Sequence, residues 1–551
     1  MPLALLRQLC RPDKLPVVLT VAVVLAFLAY RSLPALCSST VYDNDASQHV
    51  YWAQQAWDAD LLSHDDIARF YASDAMSPVG WRWIIQTLAI TGEIQLMSEL
   101  AMVVLILATC LAVFAAAHAI GGTRWAGFVG VAVWLFLEYR HENAFGTGLL
   151  QRHFAVLFLA GGLYGLASRR LWITGLAAVG AALVYPITLA VLGLTGIAFE
   201  LRQLIATRRL PRGFFVALPI GLLALVPLAM RDVPEAYGDR LTVAESRVLP
   251  NFQADGRQTY WSPDTLDMIL DSGRAGIGHG WADVLTGGIA LVVLGLVTRT
   301  RPPLLPTLLA VISLATWLVA FLFPFVLYLP NRHAAVPLPL ALGLAAGAML
   351  STIAASVQLR LPEPRRKLAA RALCVLFAVV VIDMLVKAGE RLEDALFDDD
   401  PRAAVVGHLR SMPPDTLIAG HLKDVDGLPL RTGRAALITY ETFSGWYPKH
   451  HAEVDLPRTH DVYRAYFATS WSDVDRLHDL YGVDAFYWTD RHVDPPETTG
   501  NRPPSRDEPL GTIEDQYRQP ADTLVLADPL EDRVLARDER GVLVRVGSDR
   551  D

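Results

Sequence analysis

The chain contains few charged residues and few cysteines for its size. Asp, Glu, Lys and Arg make up 19% of the 551 residues, whereas hydrophobic residues make up 53%. A soluble protein of this length carries more charge and fewer apolar residues. The net charge of −8 gives no indication of a nucleic-acid partner. The four cysteines include no CxxC pair, so they predict neither a disulfide framework nor a zinc site.

Long apolar runs are the dominant feature of the first two thirds of the chain. Eleven runs approach or exceed the length that crosses a bilayer, about 18–20 residues. One stretch, 171–200, is divided at Tyr185-Pro186 because arginines flank both of its ends, and two short spans place both basic clusters on the same side. The predicted spans lie at residues 15–35, 94–120, 124–138, 150–167, 171–184, 186–200, 214–230, 282–298, 304–326, 334–357 and 368–387.

Basic residues then fall in every alternate loop. This alternation predicts a multi-pass plasma-membrane protein with a cytoplasmic N-terminus and an extracytoplasmic C-terminal domain. The first run has a basic front and would serve as an uncleaved signal anchor, although the small residues after it also allow a cleaved signal peptide. We expect a transmembrane domain at residues 1–390 with outside loops at 38–93 and 231–281, followed by a soluble α/β domain at residues 391–551. The abundance of alanine, arginine and aspartate suits a bacterial membrane.

Short apolar segments alternate with an amphipathic helical pattern in the C-terminal part. The segments "DTLIAGHL", "AALITYETF" and "YGVDAFYWT" predict buried strands, and "SDVDRLHDLYG" predicts a helix. A terminal strand pair is predicted in "DTLVLADP" and "GVLVRVG". The fold class expected is therefore an α-helical polytopic membrane protein of about 11 spans with a small C-terminal α/β domain.

The stretch "VYDNDASQHVYW", residues 41–52, opens the first outside loop with two carboxylates, Asp43 and Asp45, followed by His49. Either Asn44 or Asp45 can cap a helix over residues 46–62, whose apolar positions recur at three- and four-residue steps and suit the membrane surface. A carboxylate fixed at such a cap can also accept a proton or hold a divalent cation. The two roles of Asp45 are compatible.

Further charged residues collect on the same predicted face. Acidic side chains lie in "EYRHENAF", and two Arg-His pairs stand at the starts of later spans, where arginines also serve simply to reach the interface. Acids together with arginines suit a lipid-linked phosphate as substrate. The histidines of "WYPKHHAEVDLPRTH" match no zinc-binding spacing. The residues of this set are Glu138, Glu142, Arg152, His153, Arg332 and His333.

This pattern resembles the GT-C superfamily of integral-membrane glycosyltransferases. The residues that carry the resemblance are "YDNDASQHVYWAQQAW", "GLLQRHFAVLFLAGGLYGLASRR", "VYPITLAVLGL" and "YLPNRHAAVPLPL", within an architecture spanning about residues 15–390. The resemblance implies transfer of a sugar from a polyprenyl-phosphate donor to a glycan, lipid or protein acceptor at the outer face of the membrane. The second acidic motif of better-known members is not clearly present.

The resemblance also implies residue roles. Asp43 or Asp45 would be the general base or a metal ligand, and Glu138 or Glu142, with His49 nearby, would form a second group on the acceptor side. The donor phosphate would be bound by the two Arg-His pairs, Arg152 with His153 and Arg332 with His333. No cofactor is certain, and a divalent cation, Mg²⁺ or Mn²⁺, is left open. The alternatives are a lipid or solute transporter and a non-enzymatic membrane protein whose outside domain binds a partner.

Overall fold

The computed structural model describes residues 14–38, 41–42, 44–62, 65–74, 76–141, 145–208, 226, 233–270, 272–278, 280–325, 329–358, 363–397, 402–493 and 507–547. Helices dominate residues 14–397. They are α1 (Leu15–Arg31), α2 (Leu33–Cys37), α3 (Asn44–Val50), α4 (Asp66–Ala72), α5 (Val79–Ala89), α6 (Ile94–Gly121), α7 (Arg124–His141), α8 (Ala155–Ala167), α9 (Leu171–Val184), α10 (Pro186–Thr207), α11 (Val243–Ser246), α12 (Thr265–Leu270), α13 (Trp281–Thr298), α14 (Leu304–Leu322), α15 (Asn331–Ala334), α16 (Pro337–Gln358) and α17 (Glu363–Phe397).

A five-stranded sheet with surrounding helices forms the C-terminal part. Its elements are α18 (Ala403–Ser411), β1 (Leu417–Gly420), α19 (Leu428–Thr432), β2 (Ala435–Ala436), α20 (Pro448–His450), α21 (Leu456–Tyr466), α22 (Trp471–Tyr481), β3 (Ala485–Thr489), α23 (Leu510–Tyr517), β4 (Val534–Arg537) and β5 (Gly541–Arg545). The strand order is β2-β1-β3-β5-β4, with β1 parallel to both neighbours and β5 antiparallel to both of its own.

Five helices in the described part of the chain are long and apolar enough to cross a membrane. They are Ile94–Gly121, Pro186–Thr207, Trp281–Thr298, Leu304–Leu322 and the continuous segment Asn331–Ala354. The prediction of a polytopic helical membrane protein with a small sheet is therefore confirmed at that level. The predicted spans other than 214–230 coincide with helices, whereas 214–230 lies outside the described residues apart from Val226. The number of eleven spans stays a prediction.

The predicted break at Tyr185-Pro186 is confirmed. Helix α9 ends at Val184, Tyr185 has φ −144° and ψ 82°, and α10 begins with Pro186 at its first position. Proline has no backbone N–H and disfavours helical geometry in the residue before it, so it begins a helix well and cannot continue one. The break brings Tyr185 and Pro186 to the wall of a cavity.

Small residues allow α7 and α16 to pack with their backbones close together. A methyl group added at Gly343 would lie 2.8 Å from the carbonyl oxygen of Gly130. Helices in a bilayer gain little from apolar burial against one another, so close packing through glycine is a main source of their association. This contact fixes the start of α16, next to α15 and its charged residues.

Two sequence predictions differ from the structure. The helix predicted over residues 46–62 ends at Val50 and continues as a 3₁₀ turn over Tyr51–Ala56. Tyr51 and Trp52 are buried in the protein and do not form the predicted membrane-surface face. The strand predicted in "DTLVLADP" is wrong, since β5 pairs with Val534–Arg537 instead. Leu526 is buried there, but the N–H of Val525 donates to the carbonyl of Ala468 in a loop. The apolar pattern of this segment therefore predicted its burial correctly, but its pairing as a β-strand incorrectly.

Candidate active site

A cavity of about 420 Å³ lies between the helical part and the C-terminal domain. Seven chain segments line it: α3, the end of α4 with Met76 and Pro78, the 3₁₀ turn Gln151–Phe154, the break between α9 and α10, the loop 233–278, α15 with the residues just before it, and the segment 441–447. Five arginines face two carboxylates there, so the wall carries an excess of positive charge suited to an anion such as a phosphate. The charged and histidine side chains are Arg152, Arg240, Arg257, Arg274, Arg332, Asp45, Glu441, His49 and His333.

Asp45 and Arg152 form the central ion pair of this cavity. The Asp45 carboxylate accepts a hydrogen bond from Arg152 Nη1 at 2.6 Å, and its other oxygen lies 3.6 Å from His49 Nε2. Burial raises the pKa of Asp45, but the charge of Arg152 and then those of His49, Arg332 and Arg274 outweigh it and hold the pKa well below its usual range. The carboxylate is therefore ionised at neutral pH and fixed in direction.

Local structure brings Arg274 and Arg332 to the same wall. Pro330 precedes the single turn of α15, and the backbone N–H of Asn331 donates to the carbonyl of Arg274 at 3.2 Å. The Asn331 side-chain amide donates to the carbonyl of Gly273 at 2.5 Å. These bonds attach the loop 233–278 to the start of the last helical hairpin, so that two distant arginines both act on Asp45.

Arg257 and Glu441 link the loop to the C-terminal domain. Arg257 Nη2 contacts the Glu441 carboxylate at 2.7 Å, and its guanidinium lies 4.2 Å from the ring centroid of Tyr440. It also donates to the carbonyl of Phe443. Only 5% of the Arg257 side chain is exposed. Burial and bonding of this kind give Arg257 a structural function in addition to its place on the wall.

The first loop contacts the C-terminal domain on the other side of the cavity. Gln48, next to His49, donates to Asp426 at 3.0 Å, and Tyr71 donates to the carbonyl of Glu441 at 3.1 Å. Burial and the adjacent charge of Glu441 raise the pKa of Asp426 to about 8. The C-terminal domain therefore helps to position α3 and closes one side of the site.

The structure brings together five of the residues predicted from sequence: Asp45, His49, Arg152, Arg332 and His333 all line the cavity. Asp43 and Glu142 lie outside the described residues. Glu138 and His153 are fully buried away from the lining, and both nitrogens of the His153 ring face backbone N–H groups, those of Leu150 and Gly146. The roles assigned to all nine residues stay predictions.

Sequence reasoning missed Arg240, Arg257, Arg274 and Glu441. The three arginines stand about 17 residues apart in the loop 233–278 and form no short motif, so only their shared loop could have indicated them. Glu441 was not predicted as a site residue because "AALITYETF" was interpreted as a strand. In the structure only Ala435–Ala436 of this stretch is a strand, and the following residues turn toward the cavity.

The described part of the cavity does not fit a Mg²⁺ or Mn²⁺ ion. Such ions are bound by several carboxylate or carbonyl oxygens, whereas Asp45 and Glu441 are each paired with an arginine. One group of metal-binding residue types was found among the described residues, and it lies elsewhere: His421, Asp424 and His492 in the C-terminal domain.

The comparison with known proteins shows which fold this chain has, but it does not assign the chain to a family. No protein-family model and no curated protein sequence matches the chain. Among solved structures, the chain is similar to the crystal structure of ArnT from Cupriavidus metallidurans bound to undecaprenyl phosphate, with 17% identity and a TM-score of 0.51. The alignment covers 97% of this chain and 99% of that chain. The chain therefore has the fold of a polytopic membrane protein of the ArnT kind, including the C-terminal domain.

Proposed function

We propose that this protein is a GT-C-like glycosyltransferase that moves a sugar from a polyprenyl-phosphate donor to an acceptor at the outer face of the plasma membrane. The observation that carries the proposal is the cavity in which five arginines line the wall and three of them, Arg152, Arg332 and Arg274, act on one ionised aspartate, Asp45. The fold it shares with a protein crystallised with undecaprenyl phosphate supports the same substrate class. The donor sugar and the acceptor are left unassigned.

The arginines would bind the donor phosphate. Guanidinium groups match phosphate geometry with paired N–H donors, and all five arginines line the cavity. During transfer the bond from the anomeric carbon to the phosphate oxygen breaks, and negative charge grows on the leaving polyprenyl phosphate. Arginine contacts that strengthen as this charge develops lower the barrier.

Asp45 would accept the proton of the attacking acceptor hydroxyl. Its strongly lowered pKa makes it a weak base in the free protein, because Arg152 is bound to it. A donor phosphate that takes over hydrogen bonds from Arg152 would raise the pKa of Asp45 and expose one of its oxygens. Donor binding would thereby prepare the base, and His49, 3.6 Å away, could take part in carrying the proton onward.

The acceptor would enter beside the C-terminal domain. Glu441, Trp446 and Tyr447 form that wall, and an acid with two aromatic rings is a combination suited to a sugar or another hydroxylated acceptor. A transporter would instead be expected to hold its charged residues at the midplane of the membrane. Here the charges gather at helix ends and in loops next to the C-terminal domain.

The proposal is tested by incubating the purified full-length protein with a panel of polyprenyl-phosphate sugars labelled in the sugar and with an extract of cell-envelope lipids and glycans as the source of acceptor. Wild type should remove label from the lipid fraction with at least one donor, and Asp45→Asn should be about a hundredfold slower or worse. Asp60→Asn, an exposed aspartate of the same loop, is the matched control and should equal wild type. The activity of Asp43→Asn tests whether the second carboxylate takes part in the reaction.

Two results would overturn this account. If no donor loses label with wild type, while undecaprenyl phosphate still binds, the protein is a lipid-binding or transport protein. If Asp45→Asn and Asp43→Asn both keep full activity, neither carboxylate takes part in the reaction.

A further inference from the structure

The sheet of the C-terminal domain contains a crevice that the cavity does not use. Strand β1 lies between β2 and β3, and it is parallel to both. The chain leaves β1 toward β2 on one side and later returns to β3 on the other. Connections that diverge in this way leave a crevice at the carboxyl ends of the two central strands, where open α/β sheets bind their ligands.

Histidines and carboxylates fill this crevice. His421 follows directly after β1, Asp424 stands three residues further on, and His492 follows β3. The ligand atoms of these three residues all lie within 4.8 Å of one another. His492 Nε2 is 3.3 Å from Asp424 Oδ2, and His421 Nε2 is 3.6 Å from an oxygen of Glu514 on α23. Each of the four residues is at most 8% exposed.

Several polar atoms of this cluster have no hydrogen bond. Within the part of the chain that the structure describes, His421 Nε2, His492 Nε2 and Glu514 Oε2 are buried and unbonded. Buried nitrogen and oxygen atoms almost always have a partner, and leaving one unpaired costs about 1–3 kcal/mol. These atoms face the other side chains of the cluster, His492 Nε2 beside Asp424 and His421 Nε2 beside Glu514 Oε2, and a cation bound between them would pair with all three.

We propose that His421, Asp424 and His492 form a structural zinc site, and that Glu514, whose carboxylate lies 3.6 Å from His421 Nε2, moves in as the fourth ligand. Two imidazole nitrogens and two carboxylate oxygens are a donor set that zinc accepts in four-coordinate geometry. A site with four protein ligands and almost no exposure leaves no position for a substrate, so the ion would stabilise rather than catalyse. The site needs no cysteine, which explains why the cysteine pattern did not predict it.

Zinc binding requires the two histidine rings to change their orientation. The rings of His421 and His492 are stacked with centroids 3.5 Å apart, and zinc–nitrogen bonds of about 2.0–2.1 Å in the ring planes require the two rings to turn apart. A neutral imidazole bound through Nε2 carries its proton on Nδ1. The contact of the Lys423 N–H with His421 Nδ1, at 3.3 Å, would therefore open.

The site would also support the cavity. His421 and Asp424 belong to the same loop as Asp426, which accepts a hydrogen bond from Gln48 of α3. The backbone of Tyr440, beside Glu441, donates to the carbonyl of Leu422 in this loop at 3.0 Å. A bound zinc ion would hold the loop and, through it, the docking of the C-terminal domain on α3. This inference is independent of the proposed transfer reaction.

The test is a zinc measurement on the full-length protein, purified in detergent with a tag that contains no histidine. The protein is stripped with a chelator, titrated with zinc alone and analysed for bound metal by mass spectrometry. Wild type should bind one zinc ion per chain, and zinc should raise its unfolding temperature by about 3 °C or more. His421→Gln and His492→Gln should lose both effects.

Two variants separate loss of a ligand from loss of the fold. His492→Cys keeps a zinc ligand and should keep the bound ion, whereas His492→Gln should not. His460→Gln removes a partly buried histidine of the same domain that bonds Tyr517, and it should bind zinc like wild type. The proposal is overturned if wild type binds no zinc, or if His421→Gln and His492→Gln retain it.

Discussion

The cavity and the histidine crevice are both polar sites in an apolar protein, yet they differ in charge and access. The cavity is open, is lined by seven distant segments and has five arginines for two carboxylates. The crevice is closed, is built by the ends of two adjacent strands and one helix, and contains histidines and acids. Excess positive charge with access suits an anion that enters and leaves, whereas buried nitrogen and oxygen donors suit a resident cation.

The comparison also separates two kinds of arginine within the cavity. Arg257 is buried, paired with Glu441 and bonded to backbone carbonyl groups. Arg332 and Arg274 are half-buried on short turns and act on Asp45 through their charge. Arg257 holds the wall together, whereas Arg332 and Arg274 line the part of the cavity where we propose that the phosphate binds.

The largest effect is expected from Arg257→Ala. Removing one partner of a buried ion pair leaves Glu441 uncompensated and should lower the free energy of unfolding by about 3–5 kcal/mol. The measurement is chemical or thermal unfolding of the detergent-solubilised protein, with Arg476→Ala on the exposed surface of α22 as the control. An unchanged stability would contradict the structural function of Arg257.

Arg152→Gln should change the pH dependence of sugar transfer. In wild type the pKa of Asp45 is held far below its usual range, so the carboxylate stays ionised at pH 5 and above. Without Arg152 the pKa rises, and the base becomes protonated as the pH falls. We expect a rate about tenfold lower at pH 7 and a further decline on the acid side that wild type lacks. Parallel pH profiles for the two proteins would exclude this control of Asp45.

Asp426→Asn should weaken the pH dependence of stability. The pKa of Asp426 is about 8 in the folded protein because of burial and Glu441, against about 4 in an unfolded chain. Between these values the folded state retains a proton that the unfolded state has lost, so stability falls as the pH rises from about 4 to 8. Asparagine cannot lose this proton, so the unfolding temperature of the variant should decline less from pH 5 to pH 9.

Asp65 also makes stability fall as the pH rises, because burial raises its pKa to about 6. It does so equally in wild type and in Asp426→Asn. The difference between wild type and Asp426→Asn therefore isolates Asp426. Identical slopes of unfolding temperature against pH would show that Asp426 is ionised in the folded protein at neutral pH.

The smallest effect is expected from Arg69→Ala. Arg69 bonds Asp66 on the exposed surface of α4 at 2.5 Å, with 60% of its side chain exposed. Surface ion pairs of this kind contribute about 0–1 kcal/mol. Stability, zinc content and sugar transfer should all stay close to wild type, and a large change in any of them would mean that the first loop has a function beyond the cavity.

Local sequence patterns predicted the helices, the break at Tyr185-Pro186 and part of the sheet, because apolar periodicity and proline act within a few residues. They also identified Asp45, Arg152 and Arg332, each adjacent to a predicted span. They could not predict that Glu441 and three loop arginines would reach the same cavity, nor that His421 and His492, 71 residues apart, would stack. Those contacts depend on how the C-terminal domain docks and on which strands become neighbours.

The central claim is that the cavity binds a polyprenyl phosphate through its arginines, and the most direct test is binding of undecaprenyl phosphate to the purified protein. Arg332→Ala should weaken binding about tenfold or more, and Arg69→Ala should bind like wild type. Asp45→Asn should bind at least as tightly as wild type, since it removes a negative charge from the site. Equal binding by wild type and Arg332→Ala, or no binding by wild type, would contradict the account.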